Sequence, residues 1–300
     1  MTHERPDHGE GPGEHDEHGE HGIRLTWLGH STVVIELGGV RLLTDPLLGR
    51  RAGPLVRSGA VPDPRVWHHP DAVLLSHLHH DHADLASLRR VRGAPVVTGE
   101  VNRAWAVRCG LTVARPTNSG TLGSRDHLDR SDDAWWTVPH QAGDRPVSVR
   151  LVPAVHESRP MPHRPNAANG FLVRSADSIV YFAGDTALHD DMGDLAVLAG
   201  GAIDVALLPI GGWGPRLSEG HLDPEAAAEA ALRLGARAVM PVHYGTLHPW
   251  GWPRRLRGWM QDPLTGFARA LHYRAPDVML LAPPPGHPTT VPRRHPADGD

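Results

Sequence analysis

One short segment, HLHHDH at positions 77–82, constrains this chain more than any other, because it directly follows an apolar, strand-like run. Residues two apart on an extended segment point the same way, so His77 and His79 can hold one metal ion. Asp81 and His82 lie at the turn beyond and can serve a second ion close by. Imidazole and carboxylate suit Zn²⁺, Mn²⁺ or Fe, and the lack of a partnering cysteine argues against a thiolate site. The segment therefore predicts most of a two-metal site.

Composition excludes several other classes of protein. A hydrophobic fraction of 40% is enough for a packed core. No apolar run is long enough for a transmembrane helix or a signal peptide, and Cys109 has no partner for a disulfide, which together predict a cytoplasmic protein. All 30 basic residues are arginines, so no lysine is available as a Schiff-base former or general base. The first 22 residues carry a net charge of −6 and the rest of the chain +2, and the nearly neutral remainder disfavours nucleic acid as a partner.

The two ends of the chain differ in composition from the middle. Residues 1–22 are mainly Gly, Glu, Asp and His, and residues 283–300 are rich in Pro and Arg, so both are predicted to be disordered tails. The histidines of the first tail either collect metal or belong to a solvated, low-complexity extension that has no metal-collecting function. A single domain is predicted between the tails, over residues 23–282.

Strand-like runs alternate with helical signals between the tails. The clearest helix is predicted at 223–234, where Asp223 can cap the start, Pro224 is the first helical residue and Gly235 follows the end. Two strand-rich halves, each followed by helices, predict an α/β fold with two sheets packed face to face and helices outside. The strand-like runs are Ile23–Leu28, Thr32–Leu37, Val40–Thr44, Ala72–Leu75, Val147–Val152, Phe171–Val173, Ile179–Phe182, Val205–Leu208 and Ala238–Val242.

Further ligand candidates follow later strand-like runs. His156, Asp185 and His243 each come directly or shortly after such a run. Side chains at strand ends can converge at one edge of a sheet sandwich, although any one of them could equally be buried or exposed without binding metal. His30, in a Gly-His-Ser turn, either lies near the site or caps the turn.

The order of these residues, His-x-His-x-Asp-His followed by His, Asp and His, resembles the metallo-β-lactamase superfamily. Several further segments resemble its branch containing N-acyl-phosphatidylethanolamine phospholipase D and the ascorbate-phosphate lactonases. The resemblance covers about residues 23–282 and implies an αββα sandwich of two mixed β-sheets. The segments are WLGHST at 27–32, LLTDP at 42–46, FAGDT at 182–186, GHLDPE at 220–225 and HYGT at 243–246.

The resemblance also implies a role for each candidate. Asp45 would orient a ligand imidazole and the loop that carries the HLHHDH segment through hydrogen bonds. The alternative is that Asp45 only forms the turn before Pro46. Asp185 would bridge the two metals. The first metal would be held by His77, His79 and His156, and the second by Asp81, His82 and His243.

These expectations describe a dinuclear metal-dependent hydrolase. Two divalent cations, with zinc first and Mn or Fe as alternatives, would make water held between them nucleophilic at neutral pH, while Asp81 and Asp185 orient it. His221 is the candidate proton donor to the leaving group. The first substrate hypothesis is a phosphodiester or related phosphate ester, and the second is a lactone or other cyclic ester. A third hypothesis, from another class, is a non-catalytic metal-binding protein.

The pocket walls decide between these substrates, and the sequence offers two candidate walls. Arg159, His163 and Arg164 lie in a long loop after His156, where they either hold a small anionic substrate or are solvated. Trp213, within Gly211–Pro215, either lies near the substrate or packs on the surface. The oligomeric state is left open.

Overall fold

Two mixed β-sheets form the centre of the fold in the computed structural model, which describes residues 22–114, 134–139, 146–156, 164, 166–252 and 258–292. The first sheet contains β1 (Ile23–Gly29), β2 (Thr32–Leu37), β3 (Val40–Thr44), β6 (Ala72–Leu74), β7 (Val96–Val97) and β16 (Pro288–Val291). Its strands follow the order β16-β1-β2-β3-β6-β7. The pairs β3–β6 and β6–β7 are parallel and the others are antiparallel.

The second sheet repeats this plan of an antiparallel half joined to a parallel half. Its strands are β8 (Trp136–Thr137), β9 (Ser148–Pro153), β10 (Asn169–Arg174), β11 (Ile179–Phe182), β12 (Val205–Pro209), β13 (Ala238–Val242) and β15 (Met279–Leu280). They follow the order β15-β13-β12-β11-β10-β9-β8, with β11, β12, β13 and β15 parallel to one another. A small third sheet joins β4 (Arg51–Ala52), β5 (Leu55–Arg57) and β14 (Leu247–Pro249).

Alternation of buried residues in the first sheet separates two hydrophobic layers. Leu42 on β3 and Leu74 on β6 belong to the core shared with the second sheet, where Phe171 and Phe182 stack. Their neighbours Leu43 and Val73 point to the opposite face and pack against helices. Since side chains alternate along a strand, one apolar stretch serves both layers. This arrangement confirms the predicted αββα sandwich.

Helices cover the outer faces of the two sheets. The predicted helix at 223–234 is present as α5, with the Asp223 carboxylate accepting a hydrogen bond from Ala226 N and Gly235 in the left-handed conformation at its end. The helices are α1 (Pro64–Trp67), α2 (Leu85–Arg90), α3 (Glu100–Arg108), α4 (Leu195–Ala199), α5 (Pro224–Leu234) and α6 (Asp262–Arg274). Within the described ranges, none of these helices has the length and apolar character that crossing a membrane requires.

The C-terminal end corrects one prediction. Residues 283–300 were expected to form a disordered tail, which is wrong for Pro288–Val291, because this segment pairs antiparallel with β1. The pairing gives partners to an edge that would otherwise expose unpaired backbone groups, and proline is tolerated at the first position of an edge strand. Residues 1–21 and 293–300 lie outside the described part of the chain.

Candidate metal centre

The candidate site lies where several strands end at one edge of the sandwich. The metal loop, defined as residues 77–83, follows β6, while His156 follows β9, Asp185 follows β11 and His243 follows β13. Gly184 makes the close approach possible: it has φ +62°, and an added Cβ would lie 2.6 Å from the Ser76 Cβ in front of the metal loop.

Backbone strain is concentrated at this edge. Four of the described non-glycine residues have positive φ, and three of them, His30, Asp45 and His243, belong to the site. Such conformations cost about 1–3 kcal/mol each and persist where the surrounding structure enforces them, often at functional sites. The positions of these three side chains are therefore fixed at a cost to stability.

Three imidazoles form a first cluster. His79 Nδ1 lies 3.0 Å from His77 Nε2 and 3.1 Å from His156 Nε2. Ligand nitrogens about 2.0–2.1 Å from a tetrahedral ion lie about 3.3 Å apart, which is close to these separations. The three nitrogens therefore meet around one point with the spacing of metal ligands.

A second cluster combines two imidazoles with two carboxylates. His82 Nε2 lies 3.1 Å from His243 Nε2, and Asp185 Oδ2 lies 3.0 Å and 3.2 Å from these two nitrogens. Asp81 Oδ2 lies 3.8 Å and 3.7 Å from the same nitrogens. Asp185 Oδ2 is also 3.7 Å from His77 Nε2 of the first cluster. Asp185 thus stands between the two clusters.

The outer nitrogens of the rings show which way their lone pairs point. The Nδ1–H of His156 donates to the Gly220 carbonyl oxygen at 2.9 Å, and that of His243 donates to Gly211 O at 2.7 Å. Because a carbonyl oxygen only accepts, each neutral ring carries its proton on Nδ1 and turns the Nε2 lone pair toward the cluster. This is the arrangement in which protein imidazoles bind metal.

Asp45 anchors two further rings. Its Oδ2 accepts from the Nδ1 of His82 at 2.7 Å and from Ser76 Oγ at 2.6 Å, and its Oδ1 accepts from Ser76 N at 2.8 Å. Ser76 Oγ in turn lies 2.9 Å from His77 Nδ1. The carboxylate of Asp45 therefore orients imidazoles of both clusters, rather than simply forming a turn before Pro46.

The donor set fits a pair of divalent transition ions. Five imidazole nitrogens and two carboxylates converge, and the buried Asp185 Oδ1 has no hydrogen-bond partner in the described part of the chain. A buried carboxylate oxygen without a partner is costly unless a cation satisfies it. The residues present therefore match what two such ions require.

Protonation differs between the two clusters in the absence of a cation. Burial lowers the pKa of His79 to about 4 and that of His77 well below its ordinary value. Burial opposes protonation of His243 as well, but the Asp185 carboxylate outweighs it and raises the pKa of His243 to about 9. Asp185 and Asp81 likewise raise the pKa of His82 against the effect of burial. The first cluster is neutral at pH 7, whereas the second holds protons that an arriving cation must displace.

A segment remote in sequence braces the metal loop. Asn166 Oδ1 accepts from Leu78 N at 2.7 Å, and its Nδ2 lies 3.0 Å from His79 Nε2. Arg164 donates to the carbonyl oxygens of Leu78 at 2.9 Å and Ala83 at 3.3 Å. No sequence pattern identified Asn166, since a lone asparagine in a loop is not distinctive.

The structure gives Arg164 a place that the sequence did not suggest. Two alternatives were open, a group that holds an anionic substrate or a solvated loop residue, but the guanidinium lies over the Trp105 ring at 4.9 Å and donates to the backbone of the metal loop. An irregular loop leaves carbonyl groups without secondary-structure partners, and a planar guanidinium satisfies two of them at once. The companion candidates Arg159 and His163 lie outside the described residues.

Substituting Arg164 with methionine should therefore destabilise the metal-free fold. Two carbonyl oxygens lose their donor, and leaving buried acceptors unsatisfied costs about 1–3 kcal/mol. Urea unfolding of the metal-free protein measures this loss. Arg65→Met is the matched control, because the Arg65 side chain is 90% exposed and should cost less than about 0.5 kcal/mol. Equal stability of the two variants would contradict a bracing role for Arg164.

His221 and Trp213 lie on the loops that border the clusters. His221 Nε2 is 3.3 Å from Asp185 Oδ2, and its Nδ1 lies near Ser218. The ring also meets His156 edge to face at 4.7 Å. Trp213 is 46% exposed, whereas Gly211 in the same loop accepts a hydrogen bond from His243 Nδ1. The structure thus brings His221 to the clusters and leaves Trp213 at the surface.

Sequence comparison relates the chain to a known family. The model of the Beta-lactamase superfamily domain matches residues 40–244. A UPF0173 metal-dependent hydrolase of Pyrobaculum aerophilum is 31% identical over 229 residues, which cover 75% of this chain and 85% of that protein. An uncharacterized protein of Mycobacterium tuberculosis is 28% identical over 256 residues, and the match covers 77% of this chain but only 62% of that relative.

Structural comparison gives the same fold. A metallo hydrolase from Ignicoccus hospitalis superimposes with a TM-score of 0.62 at 22% sequence identity, over 91% of this chain and 99% of that one. The chain belongs to the metallo-β-lactamase superfamily.

Proposed function

We propose that this protein is a dinuclear metal-dependent hydrolase, with zinc as the resident ion. The single observation that carries the proposal is the convergence of inward-facing imidazole nitrogens on two points joined by Asp185 Oδ2. His77, His79 and His156 would hold the first ion, and Asp81, His82 and His243 would hold the second. Asp185, which lies between the two clusters, would serve both.

A pair of divalent cations supplies acidified water and neutralises negative charge that develops on oxygen. Residues of the chain would then orient the water molecule and protonate the leaving group. Burial opposes ionisation of Asp81 and Asp185, but the neighbouring imidazoles keep the pKa of both carboxyls well below the ordinary value. Both are therefore ionised at neutral pH, and both can accept hydrogen bonds from water and orient it toward a substrate.

His221 is the proposed proton donor. Its Nε2 faces Asp185 Oδ2 at 3.3 Å, at the border of the two clusters, so a leaving-group oxygen bound there lies within reach of the same nitrogen. His221→Gln keeps an N–H donor but cannot give up a proton, and it should lower kcat while leaving metal content unchanged.

For the substrate we propose a phosphodiester or related phosphate ester, with a lactone as the second candidate. The resemblance of WLGHST, LLTDP and GHLDPE to the phospholipase D and lactonase branch supports both chemistries. Either substrate presents an oxygen on which charge develops during attack, and the two clusters suit that charge equally. The walls of the pocket therefore make the choice.

We expect two transition-metal ions per chain in protein purified without chelator. Elemental analysis measures this, and a variant lacking residues 1–22 controls for adventitious binding by the histidines in that segment. The truncated and full-length chains should turn over equally at saturating metal. A reproducible value of one ion or none after supplementation would contradict the dinuclear assignment.

Turnover of nitrophenyl phosphodiesters, phosphomonoesters, lactones and a β-lactam by the zinc-loaded protein tests the substrate class. Phosphodiester hydrolysis should be fastest, and a faster lactone reaction would favour the second candidate. Two bound ions without turnover of any substrate would favour a metal-binding role without catalysis.

A further inference from the structure

His30 lies in the turn between β1 and β2, in a conformation that few histidines adopt. Its φ is +54°, and the side chain is almost fully buried. A left-handed conformation is unfavourable for a residue with a Cβ, so the surroundings must enforce it. A residue that served only to shape the turn would be better replaced by glycine, which adopts this conformation freely.

Three backbone contacts fix the position of His30. Its N–H donates to Thr246 Oγ1 at 2.6 Å, and its carbonyl oxygen accepts from Trp27 Nε1 at 2.8 Å. The same oxygen accepts from the backbone N–H of His243 at 3.0 Å. The turn is therefore tied directly to a residue of the second cluster, across more than two hundred positions of sequence.

The side chain of His30 reaches a second member of that cluster. Its Nε2 lies 2.9 Å from Asp81 Oδ2, which is a hydrogen-bond distance. Asp81 Oδ2 faces His82 and His243 at 3.8 Å and 3.7 Å, so the same oxygen is shared between His30 and the cluster centre. A carboxylate oxygen has two lone pairs and can serve both.

We infer that His30 is a positioning residue for the second ion: it donates Nε2–H to Asp81, holds the backbone of His243, and does not itself bind metal. The inference rests on the proposed dinuclear function. The His30 ring contacts the His243 ring, with centroids 4.1 Å apart and a tilt of 37° between the two planes. Asp81, His82 and His243 would supply three ligands to the second ion. Asp185 Oδ2, which lies 3.0 Å from His82 Nε2 and 3.2 Å from His243 Nε2, would supply the fourth, so His30 is not needed as a ligand.

Two variants with the same backbone strain separate the roles of His30. His30→Gln keeps an N–H donor at nearly the reach of Nε2, whereas His30→Leu fills the space without a donor. Partners that orient metal ligands typically contribute about 10- to 100-fold to metal affinity. We therefore expect His30→Leu to weaken binding of the second zinc ion about 10- to 100-fold, with the first unchanged, and His30→Gln to recover most of that loss.

Competition titration with a zinc chelator measures both affinities, and thermal unfolding of the metal-free chains shows whether each variant folds. The absorption spectrum of the cobalt-loaded protein reports coordination at the second ion directly. If both variants bind two ions as tightly as the native chain, the inference is wrong. If the native chain binds fewer than two ions, the proposed dinuclear function is wrong. That result differs from two variants that bind normally, which would contradict only the role of His30.

Cadmium-113 loading of ¹⁵N-histidine-labelled protein gives a readout that does not depend on any substitution. Ring nitrogens bound to the metal show coupling to ¹¹³Cd, and His30 should show none while its Nε2 retains a proton. Coupling at His30 would make it a ligand and overturn the positioning role. Failure of His30→Gln to restore the second site, in a chain that folds normally, would overturn it as well.

Discussion

Asp185→Ala is expected to lower kcat/KM by about a thousandfold, equivalent to about 4 kcal/mol of transition-state stabilisation, and to weaken both metal sites. The Asp185 Oδ2 atom lies 3.0 Å from His82 Nε2 and 3.7 Å from His77 Nε2, so one oxygen serves both clusters. Its Oδ1 has no hydrogen-bond partner among the described residues and is free for a cation. Elemental analysis and turnover of the zinc-loaded variant measure the two effects.

Asp81→Ala is the informative comparison, because Asp81 faces only the second cluster. This variant should lose the second ion and most turnover while the three imidazoles of the first cluster keep theirs. Asp190→Ala is the surface control, since the Asp190 side chain is 96% exposed and should change neither quantity. Asp185 would be an ordinary turn residue if its alanine variant kept two ions and most activity.

The layers of the sandwich were predictable from sequence because strand length and apolar runs are local properties. Each predicted run from Ile23 to Val242 coincides with an observed strand to within two residues at either end. The C-terminal strand β16 was not predicted, because its surroundings are rich in proline. Its short Thr-Thr-Val run forms a strand only because it pairs with β1. Pairing between chain ends is a tertiary property that a local pattern does not carry.

The candidate site was predictable where residue type and order are distinctive. The segment at 77–82 and the later residues His156, Asp185 and His243 are brought together as the sequence order implies. The role of Arg164 was left open between an anion-binding group and a solvated residue, because an arginine in a loop after a ligand suits an anion and a backbone carbonyl equally well. The contact of Arg164 with Trp105 on α3, which decides between the two, joins residues distant in sequence.

Acidification should release the second ion well before the first. His243 has its pKa raised to about 9 by Asp185, against the effect of burial, so below that pH its ring nitrogen holds a proton that a cation must displace. The pKa of His82 is raised in the same way by Asp185 and Asp81. Burial keeps His79 of the first cluster unprotonated down to a pKa of about 4, so protons do not compete there at neutral pH.

The sign of the effect follows from this difference. Between pH 8 and pH 6 both second-cluster rings are protonated in the metal-free chain, so binding of the second ion releases about two protons and its affinity falls by up to about 100-fold per pH unit. The affinity for the first ion should stay nearly constant over the same range. Chelator titrations at several pH values, with calorimetry in two buffers of different ionisation enthalpy, measure the affinities and count the protons. Equal pH slopes for the two ions would show that the carboxylates of Asp81 and Asp185 do not hold protons on the second cluster, and would remove the electrostatic distinction between the two sites.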